Sequence, residues 1–340
     1  MAKTRVICTI GPSSQDAVLL RRMMLAGMSV ARLNFSHGAL RQHQQRLDLI
    51  RSLNKRYRRN TEILQDLEGY RLRIGALQGG KPAQLKKRQI ILLTNRNVAA
   101  GDNIIPFDYK GPLSDIKAGS RIYIDDGNIV LLVKRRLGHY LKAEVVIGGL
   151  LKEHKGINIP DTKLKFKGLT DKDKKDLDFG IKNKVEYIAQ SFVRDKQDIL
   201  SLRKFIGDRL PCCKIIAKIE NRPGIKNIDE ILDVCEGVMV ARGDMGVSLP
   251  VYEIPVIQKM IIKKCNQRRK LVITATQMLE SMTENLIPER SEVSDVANAV
   301  LDGSDFVMLS AETAVGKHPA ETVKMMQQII RFTERFSGSK

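Results

Sequence analysis

Residues 215–246 read IIAKIENRPGIKNIDEILDVCEGVMVARGDMG, and this stretch decides the fold. Two apolar, strand-like runs each end in polar residues: Lys218 and Glu220 close the first, and Asp244 follows the second. A helical stretch from about Pro223 to Val234 separates them. Because parallel α/β folds build their sites at the C-terminal ends of strands, this pattern predicts a site there. Its charges suit a hard divalent cation and a phosphorylated or enolic substrate.

The same strand–turn–helix unit recurs along the chain. We predict strands at Val6–Ile10, Ser29–Leu33, Glu62–Gln65, Val185–Ala189, Lys214–Ala217, Gly237–Val240, Leu271–Thr274 and Asp305–Leu309. We predict further helices at Asp16–Leu25, Leu40–Leu53, Asp171–Lys182, Asp195–Phe205, Val251–Arg268, Glu289–Leu301 and Glu321–Phe336. Repeated units of this kind predict an α/β protein with a closed (β/α)8 TIM barrel, and an open doubly wound sheet is the alternative.

One connection breaks this rhythm, between the third strand and the third helix. Short strand patterns at Ile90–Leu93, Arg121–Ile124, Ile129–Leu132 and Ala143–Val146 alternate there with turn residues, and Asp125-Asp126-Gly127 is a hairpin signal. We therefore predict a barrel in two parts, residues 1–71 and 166–340. A small inserted β-barrel domain, residues 72–165, would lie over the barrel mouth as a lid.

Composition limits the class of protein. The 340 residues, 43% of them hydrophobic, are enough for a large core in one or two domains. We expect no signal peptide and no membrane span. The five cysteines lack zinc-type spacing, which favours a reducing, cytoplasmic location.

The net charge of +20 favours anionic partners, either phosphate metabolites or nucleic acid. The basic residues are spread along the chain, aromatic residues make up only 5%, and tryptophan is absent. A stacking platform for nucleic acid is therefore not favoured. A solvated basic surface is the simpler interpretation.

Polar residues at the other strand ends extend the candidate site. Arg32 offers a fork of donors to a phosphate, and the alternate residues Asn34 and Ser36 could share an oxygen-ligand site or simply form a turn. Asp66 ends the third strand and Arg73 lies seven residues further on. Taken alone, Asp66 fits a turn cap better than a ligand.

Lys218 lies inside an apolar run, where a lysine is rare unless it is paired or functional. Glu220 and Asp244 are its natural partners, and a structural ion pair is the alternative. Thr276 and Ser310 follow the seventh and eighth strands, where their hydroxyls could bind substrate or cap the next helix. The chain has no Walker loop and no dinucleotide fingerprint.

These residues, taken together, make the sequence resemble the pyruvate kinase family over nearly its whole length. The matching segments, in order, are Cys8–Pro12, Arg32–Gly38, Asp125–Gly127, Lys155–Pro160, Ser191–Arg194, Lys218–Asn221, Val240–Gly246, Thr274–Met282 and Glu289–Ala314. The resemblance implies transfer of the phosphoryl group of phosphoenolpyruvate to ADP, giving pyruvate and ATP, the last step of glycolysis.

The resemblance also implies roles for individual residues. Arg32 and Arg73 would steady the transferring phosphoryl group, Lys218 would neutralise developing charge, and Glu220 and Asp244 would hold Mg²⁺ or Mn²⁺. The backbone N–H groups of Gly243 and Asp244 and the Thr276 hydroxyl would bind the substrate carboxylate, and Thr276, with Ser310, would deliver the proton. The nucleotide would contact Pro12, Asn34, His37, Arg73 and Lys155. The family's potassium site would comprise Asn34, Ser36, Asp66 and the carbonyl of Leu67.

Three departures from the family pattern stand out. Residues 66–73 read DLEGYRLR, where the family usually has Asp-Thr-Lys-Gly-Pro-Glu-Ile-Arg. Arg71 replaces the glutamate of potassium-dependent members, so we expect activity that needs no K⁺. Glu68 replaces a lysine and reverses a charge near the phosphate path, with no compensating residue identified in the sequence. Val315 replaces a frequent lysine, so nucleotide affinity is expected to differ.

The family's C-terminal regulatory domain has no counterpart in this sequence, so we expect no activation by sugar phosphates. A homodimer through a barrel–barrel interface around Ser281–Asn298 is compatible with the resemblance. Two alternative functions remain open at this stage. One is a related barrel lyase or decarboxylase acting on enolpyruvate-type substrates, and the other is a non-catalytic, basic, nucleic-acid-binding relative.

Overall fold

A computed structural model of the chain describes residues 3–96, 103–160, 162 and 168–337. It divides into two compact units. The first takes the chain up to Gly69, then residues 168–245, then Tyr252 onward. The second takes residues 70–167 and 246–251. The predicted junction at residues 165–166 lies outside the described residues.

The first unit is a closed barrel of parallel strands, as predicted, so the open doubly wound alternative is wrong. Neighbouring strands pair around the ring in chain order, and the last returns to the first. Its strands are β1 (Arg5–Thr9), β2 (Met28–Asn34), β3 (Glu62–Asp66), β13 (Tyr187–Gln190), β14 (Lys214–Ile219), β15 (Gly237–Ala241), β16 (Leu271–Ala275) and β17 (Phe306–Leu309); β4–β12 lie in the second unit.

Apolar side chains fill one continuous cluster inside this barrel. Ile7, Leu64, Ile216, Met239 and Phe306 are among its members, each 2% exposed or less. Burial on both faces explains why these strands appear in the sequence as unbroken apolar runs rather than as alternating patterns. The same register places Asn34 beside Asp66 at the ends of β2 and β3, and pairs Lys218, near the end of β14, with Met239.

Helices follow most of the strands, and side-chain caps fix where several begin. Asp16 accepts from the N–H groups of Val18 and Leu19, and Thr170 forms a capping box with Asp173. The helices are α1 (Ala17–Ala26), α2 (Leu40–Tyr57), α3 (Asp171–Asn183), α4 (Lys196–Ile206), α5 (Arg222–Lys226), α6 (Ile228–Leu232), α7 (Arg242–Ser248), α8 (Ile254–Gln267), α9 (Arg290–Leu301), α10 (Ala311–Ala314) and α11 (Pro319–Ser337).

One predicted helix is wrong in detail. The stretch Pro223–Val234 is two short helices, α5 and α6, instead of one. Asn227, at φ −96° and ψ 16°, leaves helical geometry between them. Its side-chain amide donates to the carbonyl of Arg194 at 2.9 Å, so a contact outside the helix holds this break.

The second unit holds a seven-stranded sheet with its own apolar core, and a separate two-stranded sheet of Ala83–Leu85 and Gly149–Leu151. An antiparallel bridge between Ile74 and Phe107 joins the two edges of the larger sheet. Asp125 and Asp126, at φ +52° and +55°, make the predicted hairpin turn between the strands Arg121–Ile124 and Ile129–Leu137. The strands are β4 (Leu72–Arg73), β5 (Ala83–Leu85), β6 (Ile90–Thr94), β7 (Ile104–Pro106), β8 (Arg121–Ile124), β9 (Ile129–Leu137), β10 (Tyr140–Ile147), β11 (Gly149–Leu151) and β12 (Gly156–Asn158).

Among the described residues, the longer helices carry too many polar groups for any of them to cross a lipid bilayer.

Candidate active site

Lys218 is the centre of the cluster at the C-terminal ends of the barrel strands. Its Nζ donates to Ser191 Oγ at 2.6 Å and to Asp66 Oδ1 at 3.1 Å. Glu220 Oε1 lies 3.2 Å away, and the lysine side chain is 12% exposed. Burial opposes the charged form of Lys218, but Asp66 and Glu220 outweigh it and raise its pKa above the usual value. The ammonium is therefore fixed as a cation.

Asp66 is held between two cations. Its Oδ2 accepts from Arg32 Nε at 2.7 Å, while its Oδ1 accepts from Lys218. Burial opposes ionisation of this carboxyl, but Lys218 and Arg32 together lower its pKa. Arg32 also donates to Thr9 Oγ1 at 2.8 Å and is only 8% exposed. The sequence interpretation of Asp66 as a simple turn cap is therefore wrong, since its carboxylate links β2, β3 and β14.

Ser191 is a member of the cluster whose role sequence reasoning missed. Its hydroxyl accepts from Lys218 and donates to the carbonyl of Leu67 at 2.7 Å. It therefore connects the polar ends of β3, β13 and β14. The sequence signal was its position directly after a buried strand, within a segment that matched the family.

Glu220 is almost completely buried, at 1% exposure. Its Oε2 accepts from the backbone N–H of Phe192 at 2.7 Å. Its Oε1 makes no hydrogen bond, but it lies 3.2 Å from Lys218 Nζ in an ion pair. Burial, with the nearby charge of Asp244, raises its pKa to about 7 against the opposing effect of Lys218. A carboxylate in this position carries negative charge that the surrounding protein only partly compensates.

This arrangement fits a divalent cation. Glu220 Oε1 is a buried acceptor that makes no hydrogen bond and has only the ion pair with Lys218 among the contacts described above, and Asp244 is close enough to raise the pKa of Glu220. Across the residues that the structure describes, no group of three or more histidine, cysteine, aspartate or glutamate side chains could hold a metal ion. Two carboxylates with the remaining ligands left to substrate and water is the usual arrangement for Mg²⁺.

Thr276 lies across the strand ends from this cluster, in the turn after β16. Its Oγ1 accepts from the backbone N–H of Gly243 at 2.9 Å and donates to the carbonyl of Ala275. Gly243 and Thr276, which the sequence analysis assigned to one carboxylate-binding group, are therefore hydrogen-bonded to each other. A Cβ on Gly243 would meet Thr276 Cγ2 at 3.6 Å, an ordinary contact, so the glycine is not required by space at this point.

Ser310, after β17, keeps a hydroxyl available. Its Oγ is buried and has no hydrogen-bond partner. Glu312 fixes the backbone around it by accepting from the N–H groups of Ser310 at 2.6 Å and Leu279 at 3.2 Å. Burial raises the pKa of Glu312. The helix cap considered from the sequence does not form, because the Ser310 side chain makes no cap hydrogen bond.

The loop after β2 is ordered by local contacts. Asn34 Oδ1 accepts from the N–H of Ser36 at 3.1 Å, and the Asn34 carbonyl accepts from the N–H of His37 at 3.2 Å. Pro12 opens a short 3₁₀ turn after β1, the strand next to β2. These residues and Leu67 follow adjacent barrel strands, as the sequence predicted.

Three other predicted residues belong to the second unit. Arg73 Nη1 donates to the carbonyl of His154 at 3.0 Å, and Lys155 Nζ lies 2.7 Å from Asp125 Oδ1. Arg71 Nη2 donates to Asp126 Oδ1 at 3.0 Å. All three side chains therefore have partners within the inserted sheet.

The structure supplies the compensating residue that the sequence left unidentified for Glu68. Lys172, in the first turn of α3, has its Nζ 3.4 Å from Glu68 Oε2 and 2.7 Å from Asp176 Oδ2. It also donates to the carbonyl of Phe35 at 2.6 Å. The reversed charge at residue 68 is therefore partly offset by a lysine that lies more than a hundred positions later in the chain and is shared with Asp176.

The fold and this cluster together define a class, a (β/α)8-barrel enzyme with a buried lysine, an arginine and paired carboxylates at the C-terminal ends of its strands. The family model for the pyruvate kinase barrel domain matches the sequence over residues 1–323. The chain belongs to the pyruvate kinase family.

Three relatives give the extent of the match. A pyruvate kinase of Thermococcus litoralis is 43% identical over 337 residues, which cover 99% of this chain and 71% of that protein. Those of Geobacillus stearothermophilus and Clostridium perfringens are 46% and 44% identical over 98% of this chain. The chain spans 57% and 71% of their respective lengths. These matches favour neither the lyase nor the nucleic-acid-binding alternative.

Proposed function

We propose that the chain transfers the phosphoryl group of phosphoenolpyruvate to ADP, giving pyruvate and ATP. The observation that carries this proposal is the buried Lys218, which is held as a cation between Asp66 and Glu220 beside a second buried cation, Arg32. Phosphoryl transfer passes through a loose transition state in which positioning and charge stabilisation matter most. Fixed cations of this kind serve both needs.

Arg32 and Arg73 would bind the transferring phosphoryl group. Arg32 is oriented for this by Asp66 and Thr9, which accept hydrogen bonds from its Nε and Nη1. Lys218 would neutralise charge that develops on the phosphoryl and enolate oxygens. Because Ser191 and Asp66 hold its Nζ, little reorganisation is needed during the reaction.

Glu220 and Asp244 would hold Mg²⁺ or Mn²⁺, which would supply positive charge to offset the negative charge of the substrate. The Thr276 hydroxyl, with the backbone N–H groups of Gly243 and Asp244, would bind the substrate carboxylate. Thr276 would also take part in protonating the enolate. Ser310 is a second candidate for that proton path, because its buried hydroxyl makes no other hydrogen bond.

The nucleotide would contact Pro12, Asn34 and His37 in the first unit, and Arg73 and Lys155 in the second. The inserted sheet would function as a separate domain that covers the substrate as a lid. We further propose that no potassium is needed, although Asn34, Ser36, Asp66 and the carbonyl of Leu67 correspond to the family's monovalent site. In that case Arg71 supplies the positive charge.

Location and assembly complete the proposal. A cytoplasmic location is supported by five free cysteines, four of them buried. A homodimer through the segment 281–298 is supported by two apolar side chains in it, Leu286 and Ile287, which are 58% and 76% exposed.

The test is pyruvate formation from phosphoenolpyruvate and ADP with Mg²⁺, in potassium and in tetramethylammonium buffers. We expect equal rates in both. Lys218→Met should lower kcat by about a hundredfold to a thousandfold. Lys259→Met is the matched control, because it removes a lysine that is 55% exposed and paired with Asp302, outside the barrel at α8 and the end of α9, rather than with the strand-end cluster. Failure of the wild type with every nucleoside diphosphate would refute the proposal, and a large potassium stimulation would refute its monovalent part.

A further inference from the structure

The turn after β16 holds two consecutive residues in the left-handed backbone region. Thr276 has φ +71° and Gln277 has φ +53°. A β-branched residue such as threonine is a genuine outlier in this region, because its side chain crowds the backbone. Such a conformation persists only where the surrounding structure determines it. Something must therefore hold the turn that presents the Thr276 hydroxyl.

Arg242, the first residue of α7, contacts three consecutive carbonyls of this turn. Its Nε donates to the carbonyls of Ala275 and Thr276 at 3.2 Å each. Its Nη2 donates to the carbonyl of Thr276 as well, and to that of Gln277 at 3.2 Å. Left-handed residues turn these successive carbonyls toward one side, and a planar guanidinium has the donor geometry to bind them together.

The guanidinium is itself fixed from its other edge. Arg242 Nη1 donates to both carboxylate oxygens of Asp295 in α9, at 2.6 and 2.8 Å. Gln258 Oε1 of α8 lies 3.4 Å from the same nitrogen. The arginine side chain is 12% exposed, so its charge depends on these partners rather than on water. Asp295 thereby ties the position of the turn to a long, well-packed helix.

We propose that Arg242, supported by Asp295, is a positioning residue that sets the Thr276 hydroxyl by stabilising the left-handed Thr276–Gln277 backbone. The expected effect of Arg242 on kcat rests on the proposed role of Thr276 in binding carboxylate and delivering a proton. The expected effect of Arg242 on the stability of the turn does not rest on that role, because it follows from the contacts alone. Arg242 acts on the carbonyls of the turn and is not placed against substrate.

The first test separates backbone positioning from general stabilisation. Arg242→Met should lower the Tm by several degrees. Glycine adopts a φ near +53° without strain, so Gln277→Gly should relieve the turn. We expect Gln277→Gly to change the wild-type Tm little and to restore at least half of the loss caused by Arg242→Met. If Gln277→Gly changed the Tm of the wild type and the Tm of Arg242→Met by the same amount, the proposal would be overturned.

Arg268→Met is the matched control. Arg268, which follows α8, also binds a neighbouring segment through several hydrogen bonds, to Asp229 and Asp233, but it does not contact the turn. Gln277→Gly should not rescue Arg268→Met. Rescue of both arginine variants to the same extent would show that glycine stabilises the protein without regard to Arg242, and would overturn the proposal.

The second test is kinetic. A displacement of about an ångström at a reacting group can lower a rate by about a hundredfold. Arg242→Met should therefore lower kcat to that extent and leave the KM for ADP unchanged, and Gln277→Gly should restore part of kcat. Unchanged kcat in Arg242→Met would overturn the proposal. If the wild type makes no pyruvate, the proposed function is wrong, and the Tm comparison alone decides the role of Arg242.

Discussion

His43 should make the stability of this protein depend on pH below neutrality. Its ring stacks on Phe35, with centroids 4.1 Å apart and planes 12° apart, and is 1% exposed. Nε2 lies 2.9 Å from the carbonyl of His37 and must carry the proton, because a carbonyl only accepts. Nδ1 is then the unprotonated nitrogen, and it is buried without a hydrogen-bond partner. A second proton would place an uncompensated charge there.

The magnitude follows from the pKa. Burial lowers the pKa of His43 from 6.5 to about 4, and the charges of Arg46 and Lys172 act in the same direction. The unfolded chain therefore binds a proton that the folded protein does not, between those two values. The corresponding stability is fully present above pH 6.5 and is lost as the pH falls toward 4. Linkage gives a loss of about 2 kcal/mol between pH 7 and pH 5.

Urea unfolding of the wild type and of His43→Phe, at pH 7 and pH 5, measures this effect. Phenylalanine keeps the stacked ring but cannot take up a proton, and the lost hydrogen bond costs about 1 kcal/mol at either pH. The free energy of unfolding of the wild type, relative to the variant, should fall by about 2 kcal/mol from pH 7 to pH 5. His139→Phe, at an exposed position, is the control. If the difference in free energy of unfolding between the wild type and His43→Phe were the same at pH 7 and pH 5, the reasoning would be refuted.

Two further predictions concern charged groups. Glu220→Gln should raise the Tm of the metal-free protein at pH 8, because the raised pKa of Glu220 means that folded-state stability is lost as the pH rises through about 7. Glu220→Gln should also lose most of the Tm increase that Mg²⁺ gives the wild type. An equal Tm increase with Mg²⁺ in the wild type and in Glu220→Gln would contradict the assignment of Glu220 as a metal ligand. Lys172→Met should cost about 1 kcal/mol in urea unfolding, since the lysine is about half exposed and its ion pairs are screened by water. Adding Glu68→Gln to Lys172→Met should recover part of that loss. If the effects of the two substitutions on the free energy of unfolding simply added, Glu68 and Lys172 would not interact.

The barrel could be predicted from the sequence because its signal is local and repeated. Each strand is buried on both faces, so it appears as a short apolar run that stops at a polar turn. Lys218, Glu220 and Asp66 could be assigned to one site for the same reason, since parallel strands bring their C-terminal ends to one edge. The break at Asn227 could not, because its amide is held by the carbonyl of Arg194 in a distant segment.

The turn after β16 shows a different kind of limit. Left-handed backbone is usually signalled by glycine, or by asparagine and aspartate, and neither Thr276 nor Gln277 gives that signal. The conformation becomes intelligible only with Arg242, whose contacts span more than thirty positions of sequence. Sequence patterns identified the hydroxyl at Thr276 as a candidate, but not the arginine that positions it.

The pairing of Glu68 with Lys172 separates what can be predicted about a charge from what cannot. That residue 68 carries a negative charge beside a strand end is explicit in the sequence. Whether that charge impairs a phosphate site depends on its neighbours in space. The first turn of α3 brings Lys172 to Glu68, Asp176 and the carbonyl of Phe35 together, so one ammonium serves three oxygen groups from three segments. A charge reversal read from a motif is therefore evidence of altered function only after its partners in the fold have been identified.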